Sequence, residues 1–288
     1  MKFYNFTIIV LLLSCADFFV PDSETFNSAV LQGNEWIQIE NNMDDELFSN
    51  ENSIQLFFNS LDVDSVNSPA LLTIIDSNET TILGLFRDPG VNDSLYVYLD
   101  NEYIGGIGSS YLKLSNETFF MLTLVISQDI SEGYVKVYLN DRKIGDFDKS
   151  ISIFNNDLII GAVSNREYSI LSNYWYGLID EVRLWDIALN STTIKFHYNN
   201  PHKLTENTFD TWDNNNDLLI SHLSGLWRFN TNEIETEFQD QKCEIKKNNV
   251  LNIDTTDCFK SMHTANFFST ESGQISFSPL GFSTVLPE

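Results

Sequence analysis

The chain has 288 residues, of which 42% are hydrophobic and 13% aromatic, and 41 acidic against 16 basic residues give it a net charge of −25. This apolar content is enough for one large core with or without a small appendage, and it excludes intrinsic disorder and a fibrous repeat. The negative charge disfavours nucleic acid and anionic membrane surfaces as partners, because like charges repel.

The first residues form the pattern of an export signal. Lys2 precedes an apolar run that ends at Leu13, and this run is too short to cross a bilayer as a helix. Residues 12–15, Leu-Leu-Ser-Cys, resemble the lipobox of bacterial lipoproteins. The resemblance implies a signal peptide over residues 1–15, a lipid on Cys15 and an anchored protein of the bacterial cell envelope, either periplasmic or at the cell surface. An ordinary signal peptide with an incidental Cys is the alternative.

Residues 16–27 form a polar tether, and short apolar runs separated by Asn, Asp, Gly and Ser follow it. Runs at a spacing of roughly 8–12 residues predict an antiparallel β-sandwich or barrel. The predicted strands cover residues 36–39, 54–58, 71–75, 81–86, 95–99, 119–126, 134–139, 158–160 and 178–185.

Two predicted strands show the alternation of a sheet that turns one face toward the core. The odd-numbered residues of 95–99 and 134–139 are apolar. The opposite faces carry Tyr96, Tyr98 and the following Asp100 on the first strand, and Tyr134, Lys136 and Tyr138 on the second. Residues 140–143 then turn the chain back, as in a hairpin.

One helix is predicted over residues 190–199, with Asn190 or Ser191 as its N-cap and Pro201 beyond its end. Residues 201–217 are polar and acidic and are expected to form a linker. Residues 218–288 contain further strand candidates at 226–229, 250–253 and 274–277. This β-rich extension either closes the sandwich or forms a degenerate second unit.

The cysteine count agrees with export. If Cys15 carries a lipid, Cys243 and Cys258 remain, and an even remainder in an exported protein predicts one disulfide. Closing a loop of this length stabilises a protein by roughly 3 kcal/mol in the chain-entropy model. Two free buried thiols are the alternative.

The most specific motif lies in the last predicted strand. Residues 176–189 read Tyr-Gly-Leu-Ile-Asp-Glu-Val-Arg-Leu-Trp-Asp-Ile-Ala-Leu and resemble the closing signature of laminin-G-like, concanavalin A-like jelly-roll domains. Residues 29–39, 134–145 and 158–161 match the same family in order. The resemblance implies an all-β antiparallel jelly roll over residues 28–200. The family's Trp-x-Phe strand usually precedes the opening strand, but here it lies within 225–230, which leaves the C-terminal boundary open.

Tyrosines on the polar strand faces are the candidate ligand-binding residues. An exposed aromatic ring stacks on the apolar face of a sugar, while neighbouring polar groups bond its hydroxyls. The candidates are Tyr96, Tyr98, Asp100, Tyr134, Tyr138 and Trp175, the last from the aromatic run 174–176. In the alternative, these rings cover the second face of the sandwich or pack against the C-terminal extension.

Catalytic residues are not predicted. Glycosidases of this fold resemble one another in a Glu-x-Asp-x-Glu strand, whose nearest counterpart here, residues 35–40, lacks the central Asp. Regular pleating places Glu35 and Glu40 on opposite faces, so they cannot act as a pair. The four His residues are scattered without a metal-binding spacing.

Asp180 is expected to be a structural acid. Regular alternation would place it on one face with Leu178, Val182 and Leu184, where a carboxylate needs hydrogen-bond donors. Glu181 and Arg183 would then lie on the other face and pair.

Calcium is the one cofactor that the sequence suggests. Asp213, Asn215 and Asp217 supply oxygen ligands at alternate positions, as the first half of an EF-hand loop does, although no Gly follows them. A solvated linker is the alternative.

We expect a non-catalytic surface lipoprotein that binds carbohydrate or mediates adhesion through one jelly-roll face, with a glycan or a surface protein as its partner. A glycoside hydrolase or polysaccharide lyase of the same fold and a structural protein-docking module are the alternatives.

Overall fold

The computed structural model describes residues 28–39, 41, 47–60, 68–76, 81–88, 95–107, 119–154, 156–165, 170–201, 204, 222–227, 229, 237–239, 264–269 and 276–278. The predicted signal peptide and tether, the two C-terminal cysteines and the candidate calcium ligands lie outside these residues. The residues concerned are Cys15, Cys243, Cys258, Asp213, Asn215 and Asp217.

Eighteen strands and one helix occur in the described part of the chain. The first nine strands are β1 (Ser28–Gln32), β2 (Glu35–Ile39), β3 (Glu51–Ser60), β4 (Ala70–Ile75), β5 (Thr81–Arg87), β6 (Leu95–Leu99), β7 (Glu102–Ile107), β8 (Phe120–Ser127) and β9 (Tyr134–Leu139). The remaining elements are β10 (Arg142–Phe147), β11 (Asp157–Ile160), β12 (Val163–Asn165), β13 (Ile170–Ser172), β14 (Tyr176–Trp185), α1 (Ser191–Asn199), β15 (Leu223–Trp227), β16 (Glu237–Gln239), β17 (Thr264–Ser269) and β18 (Ser276–Ser278).

Two eight-stranded antiparallel sheets form a sandwich, which confirms the predicted fold class. The first sheet has the order β10-β9-β8-β3-β14-β1-β18, with β15 also paired to β14. The second sheet has the order β16-β17-β2-β11-β4-β5-β6-β7, and β12 and β13 form a separate hairpin. Every strand pair in the two large sheets is antiparallel. The chain connects its strands by short turns within a sheet and by crossovers from one sheet to the other, as a jelly roll does.

The main core lies between the two sheets. It is built from the inward-facing residues, which alternate with outward-facing ones along the strands of both sheets. Leu122, Leu124 and Ile126 of β8 face Leu85 and Val97 of the second sheet in one buried cluster. All five side chains are fully buried, which is the arrangement that the sequence alternation predicts. The predicted hairpin is also present, because β9 pairs with β10 across a two-residue turn in which Asn140 has a φ of 57°.

The strand β14 contains an irregularity that changes which side chains face the core. Its register against β3 shifts between Asp180 and Arg183, and Glu181 in this bulge has a φ of 47°. The extra residue puts Val182 and Leu184 into the inter-sheet core, whereas Leu178 packs on the outer face. The prediction that Asp180 shares a face with all three was therefore wrong, because it assumed regular pleating.

Asp180 is only 2% exposed, and both of its oxygens accept hydrogen bonds. Oδ1 accepts from the backbone N–H of Glu181 at 2.7 Å, and Oδ2 accepts from the hydroxyl of Ser28 at 3.4 Å. These contacts fit the structural role expected of this acid. Glu181 and Arg183 pair as predicted, with 2.8 Å between Oε2 and Nη2, and both side chains are buried.

The helix α1 covers the outer face of the first sheet. Asn190 caps it as predicted, because its Oδ1 accepts from the N–H of Thr193 at 2.9 Å. Ile194 of the helix packs in a second buried cluster with Trp185 and other outward residues of the sheet. His197 of the helix is also buried, with its ring stacked on Trp185. No helix within the described residues has the length and apolarity that crossing a bilayer requires.

The C-terminal strands join both sheets. The strand β15 pairs with β14 over Val182–Trp185 and thereby continues the edge that β1 begins over Tyr176–Ile179. β18 pairs with β1, and β17 pairs with β2. The displaced Trp-x-Phe segment thus supplies an edge of the first sheet from the C-terminal side.

Candidate ligand-binding surface

Trp175 is not available to a ligand. Its side chain is fully buried, its ring packs edge-on against Phe58 at 5.8 Å, and its Nε1 donates to the carbonyl of Asn59 at 3.2 Å. A Cβ on Gly177, two residues further along, would lie 2.7 Å from that Nε1, which shows how closely the strand approaches the ring. The structure therefore contradicts Trp175 as a stacking residue, because the middle ring of the aromatic run turns into the core.

The second tyrosine pair, on β9, belongs to the covered outer face of the first sheet. Tyr138 is 9% exposed and packs in the cluster beneath α1. Tyr134 is half-buried, and Nζ of Lys136 lies 3.7 Å from the centre of its ring. One face of Tyr134 is thus occupied by a cation of the same chain, so this pair does not form a stacking surface.

Tyr96 and Tyr98 lie on the outer face of the second sheet, because Leu95, Val97 and Leu99 of the same strand are buried in the core. Tyr103 from the neighbouring β7 lies beside both, at ring-centre distances of 5.5 Å and 5.6 Å. Phe86 of β5 contacts Tyr98 at 5.3 Å on the other side. We refer to Phe86, Tyr96, Tyr98 and Tyr103 as the tyrosine cluster.

The backbone of β6 and β7 brings these rings together. Asp100 and Asn101 form a two-residue turn with φ values of 50° and 61°, as the tightest hairpins require. The register of this turn places Tyr103 opposite Tyr98, and cross-strand partners lie on the same face of a sheet. The register shifts only after this pair, where Ile104 has no cross-strand partner.

A glycine makes room for the buried ring of the cluster. Gly84 lies opposite Tyr98 on β5, and a Cβ at that position would meet the Phe86 ring at 2.6 Å. The Phe86 ring therefore lies over Gly84 and supports Tyr98 from the side. Exposure rises outward across the sheet, from 9% at Phe86 to half-buried Tyr96 and Tyr98 and to 52% at Tyr103.

Acidic side chains border the tyrosine cluster. The Asp88 carboxylate accepts a hydrogen bond from the Tyr96 hydroxyl, and this bond raises the pKa of Tyr96 above its ordinary value of 10. At the β6–β7 turn, Nζ of Lys149 lies 2.9 Å from the Glu102 carboxylate and 3.8 Å from that of Asp100. Asp100 lies in the turn beyond β6 and faces Lys149. The prediction that it shares one stripe with Tyr96 and Tyr98 was therefore wrong.

The nearest match to a glycosidase strand has a structural role. Glu35 is 6% exposed, and its Oε2 accepts from the backbone N–H groups of Gln32 at 2.6 Å and Asn34 at 3.4 Å. It thereby holds the turn between β1 and β2, while Glu40 lies outside the described residues. In the described ranges no three His, Cys, Asp or Glu side chains are grouped so that they could hold a metal ion.

A groove of about 810 Å³ lies at one end of the sandwich, where β3 begins, β8 ends and the 150–154 segment passes. Eight of its eleven lining residues have polar side chains, Phe154 is the one aromatic residue among them, and Ile130 is 97% exposed. The lining residues are Asn50, Glu51, Ser127, Gln128, Asp129, Ile130, Ser131, Ser150, Ile151, Ser152 and Phe154. A sugar ring gains less from such a lining than from the grouped rings of the tyrosine cluster.

Strand alternation in the sequence predicted Tyr96 and Tyr98 but gave no sign of Tyr103, Phe86 and Asp88 as residues of this surface. Tyr103 was missed because β7, with its bulge and two glycines, shows no alternation. The Asp100-Asn101 pair directly after a predicted strand is the signal that would have indicated a hairpin and a partner strand.

Comparison with known proteins places the chain in a family. Residues 31–195, more than half of the chain, match the profile described as the Concanavalin A-like lectin/glucanases superfamily. The chain therefore belongs to this superfamily, which confirms the resemblance seen in residues 176–189. No curated protein sequence matches the chain.

Several solved structures are similar to the chain at low sequence identity. A candidate carbohydrate-binding protein from Bacteroides ovatus is 11% identical with a TM-score of 0.50, and the match covers 87% of this chain and 62% of that one. A heptameric SAP-like pentraxin from Limulus polyphemus is 11% identical over 61% of this chain and 82% of its own, with a TM-score of 0.47. The sialidase module CBM40 of Ruminococcus gnavus, bound to α2,3-sialyllactose, is 12% identical over 60% and 97%, with a TM-score of 0.41. The present chain thus spans 62% of the length of the Bacteroides protein, and these identities show the fold alone.

Proposed function

We propose that this chain is a non-catalytic carbohydrate-binding protein that contacts its ligand through the tyrosine cluster. The observation that carries the proposal is the position of Tyr103, which is 52% exposed at the edge of the second sheet with its ring against both Tyr96 and Tyr98. The corresponding face of the first sheet is covered by α1. Membership of a superfamily of lectins and glucanases supports carbohydrate as the ligand class.

The chemistry of the cluster suits a sugar. The C–H groups on one face of a pyranose contact an aromatic ring, and nearby carboxylates accept hydrogen bonds from its hydroxyls. Tyr103 offers the ring, while Asp88 and Glu102 are acceptors on neighbouring strands or turns. Anionic glycans are disfavoured as ligands, because the whole chain carries a charge of −25.

A binding role is preferred to catalysis because Glu35, which lies in the nearest match to a glycosidase strand, accepts hydrogen bonds from two backbone N–H groups. Anchoring in the bacterial cell envelope through a lipid on Cys15 completes the proposal and depends on the leader pattern of residues 1–15.

The test is a glycan array followed by titration calorimetry on the best ligand, with and without Ca²⁺. We expect Tyr103→Ala to weaken binding about tenfold, since losing one stacked ring removes roughly 1.4 kcal/mol. Tyr134→Ala is the matched control, because it removes a partly exposed tyrosine from the other sheet and should leave the affinity unchanged. Equal affinities of the two variants, or release of shortened sugars by the wild-type protein, would contradict the proposal.

A further inference from the structure

The rings of the tyrosine cluster do not form a flat platform. The planes of Tyr96 and Tyr103 meet at 84°, and those of Tyr98 and Tyr103 meet at 58°. A neutral sugar uses one ring face, or several coplanar faces, along its flat side. Rings whose planes meet at a steep angle instead form a corner, which is bounded by the face of one ring and the face of the other.

A corner of this kind suits a positive charge. The face of an aromatic ring carries the negative part of its quadrupole, so a cation placed in the corner is attracted by both ring faces. The chain already contains a contact between a cation and a single tyrosine ring, because Nζ of Lys136 lies 3.7 Å from the ring centre of Tyr134 on the first sheet.

The charges around the corner have the matching sign. Asp88 is hydrogen-bonded to the Tyr96 hydroxyl, and Asp100 and Glu102 lie in the turn that leads to Tyr103. Nζ of Lys149 donates hydrogen bonds to the Glu102 carboxylate and the Leu99 carbonyl. The three carboxylates therefore bring negative charge close to the corner.

We propose that the corner formed by Tyr96 and Tyr103 binds the ammonium group of an amino sugar whose pyranose ring stacks on Tyr103. The inference rests on the proposed function and narrows its ligand to cationic glycans with free amines. Asp88 holds Tyr96 in place through its hydroxyl and adds negative charge beside the bound cation.

The experiment compares three β-1,4-linked tetramers that differ only at C2, namely glucosamine, N-acetylglucosamine and glucose. Calorimetry is done at a pH that protonates the sugar amine and at low and high salt. We expect the glucosamine tetramer to bind about 5–10-fold more tightly than either neutral tetramer, with the difference shrinking at high salt. Asp88→Asn should remove most of this difference, so that the glucosamine tetramer binds no more than about twofold more tightly than the neutral tetramers.

Tetralysine is the control for general attraction of a cation to an acidic protein. Its binding should respond to salt but not to Tyr103→Ala, whereas binding of the glucosamine tetramer should respond to both. If the two ligands are affected alike by Tyr103→Ala, the corner has no specific role and the inference is overturned.

The outcomes separate this inference from the proposed function. If the neutral tetramers bind as tightly as glucosamine and Tyr103→Ala weakens all three, the ammonium site is refuted and carbohydrate binding stands. If tetramethylammonium alone binds through Tyr103 and none of the tetramers does, both the amino-sugar assignment and the proposed function fail.

Discussion

His197 has no role that the sequence predicts, and its side chain is completely buried on the inner face of α1. Its Nδ1 lies 2.9 Å from Oε1 of Gln55, its Nε2 lies 3.1 Å from the carbonyl of Leu204, and its ring stacks on Trp185 at 5.3 Å. Burial, reinforced by the nearby Arg183 charge, lowers the pKa of His197 from 6.5 to about 3. The folded protein therefore holds this imidazole neutral at physiological pH.

This burial predicts a loss of stability in acid. Below pH 6.5 the unfolded chain binds a proton at His197 that the folded chain does not bind until the pH approaches 3. The free energy of unfolding should thus fall by about 1.4 kcal/mol per pH unit below 6.5, until the folded pKa is reached. Urea unfolding at several pH values between neutrality and mild acid measures this slope.

Two variants isolate the contribution of His197. His197→Gln should flatten the slope, while His222→Gln, which changes an exposed histidine bonded to Asp186, should retain it. An equal slope in His197→Gln and the wild-type protein would show that other groups cause the acid sensitivity.

Single residues also show where prediction of the site reached its limit. Tyr96 and Tyr98 follow from alternation within one strand, which is a property of the sequence alone. Tyr103 lies opposite Tyr98 through the β6–β7 turn, but its strand shows no alternation that would have marked it as a strand. The burial of Trp175 depends on contacts with Phe58 and Asn59, which are distant in the chain, so local pattern could not reveal it.

At the level of elements, the helix was predicted with its cap. The side-chain Oδ1 of Asn190 accepts a hydrogen bond from the backbone N–H of Thr193, which has no acceptor within the helix. Asn190→Ala should lower the free energy of unfolding by about 1 kcal/mol, measured by urea denaturation. Thr192→Ala, one position into the same exposed turn, should change it by no more than about 0.5 kcal/mol. Similar losses in both variants would mean that helix propensity, and not the cap, sets the stability here.

The strands with clear alternation were predicted close to their observed bounds, whereas short or irregular strands were missed. β12, β13, β16 and β17 each lack a sustained apolar run, and their pairing is decided by neighbouring strands. The bulge at Glu181 was missed for a related reason. Its positive φ is stabilised by Asp180 and by the register against β3, and neither is visible in the spacing of apolar residues.

At the level of the whole molecule, Trp227 shows how the C-terminal part contributes to the main core. Its side chain is fully buried between the sheets, although it comes from β15. Trp227→Ala should therefore destabilise the entire sandwich by about 3–5 kcal/mol and lower its single unfolding transition. Ile130→Ala removes an apolar side chain that is 97% exposed and should have little effect. A second, separate transition that alone responds to Trp227→Ala would show an independent C-terminal unit.

The arrangement of β1, β15 and β18 has a consequence for the timing of folding. The earliest described strand is flanked by the latest, and one edge of β14 is completed by residues that follow it by about forty positions. During translation, β1, β3 and β14 leave the ribosome before β15 and β18, the strands that close this side, have been synthesised. The nascent polypeptide therefore carries an open flank until β15 and β18 have been synthesised, and closure of this side of the first sheet waits for them.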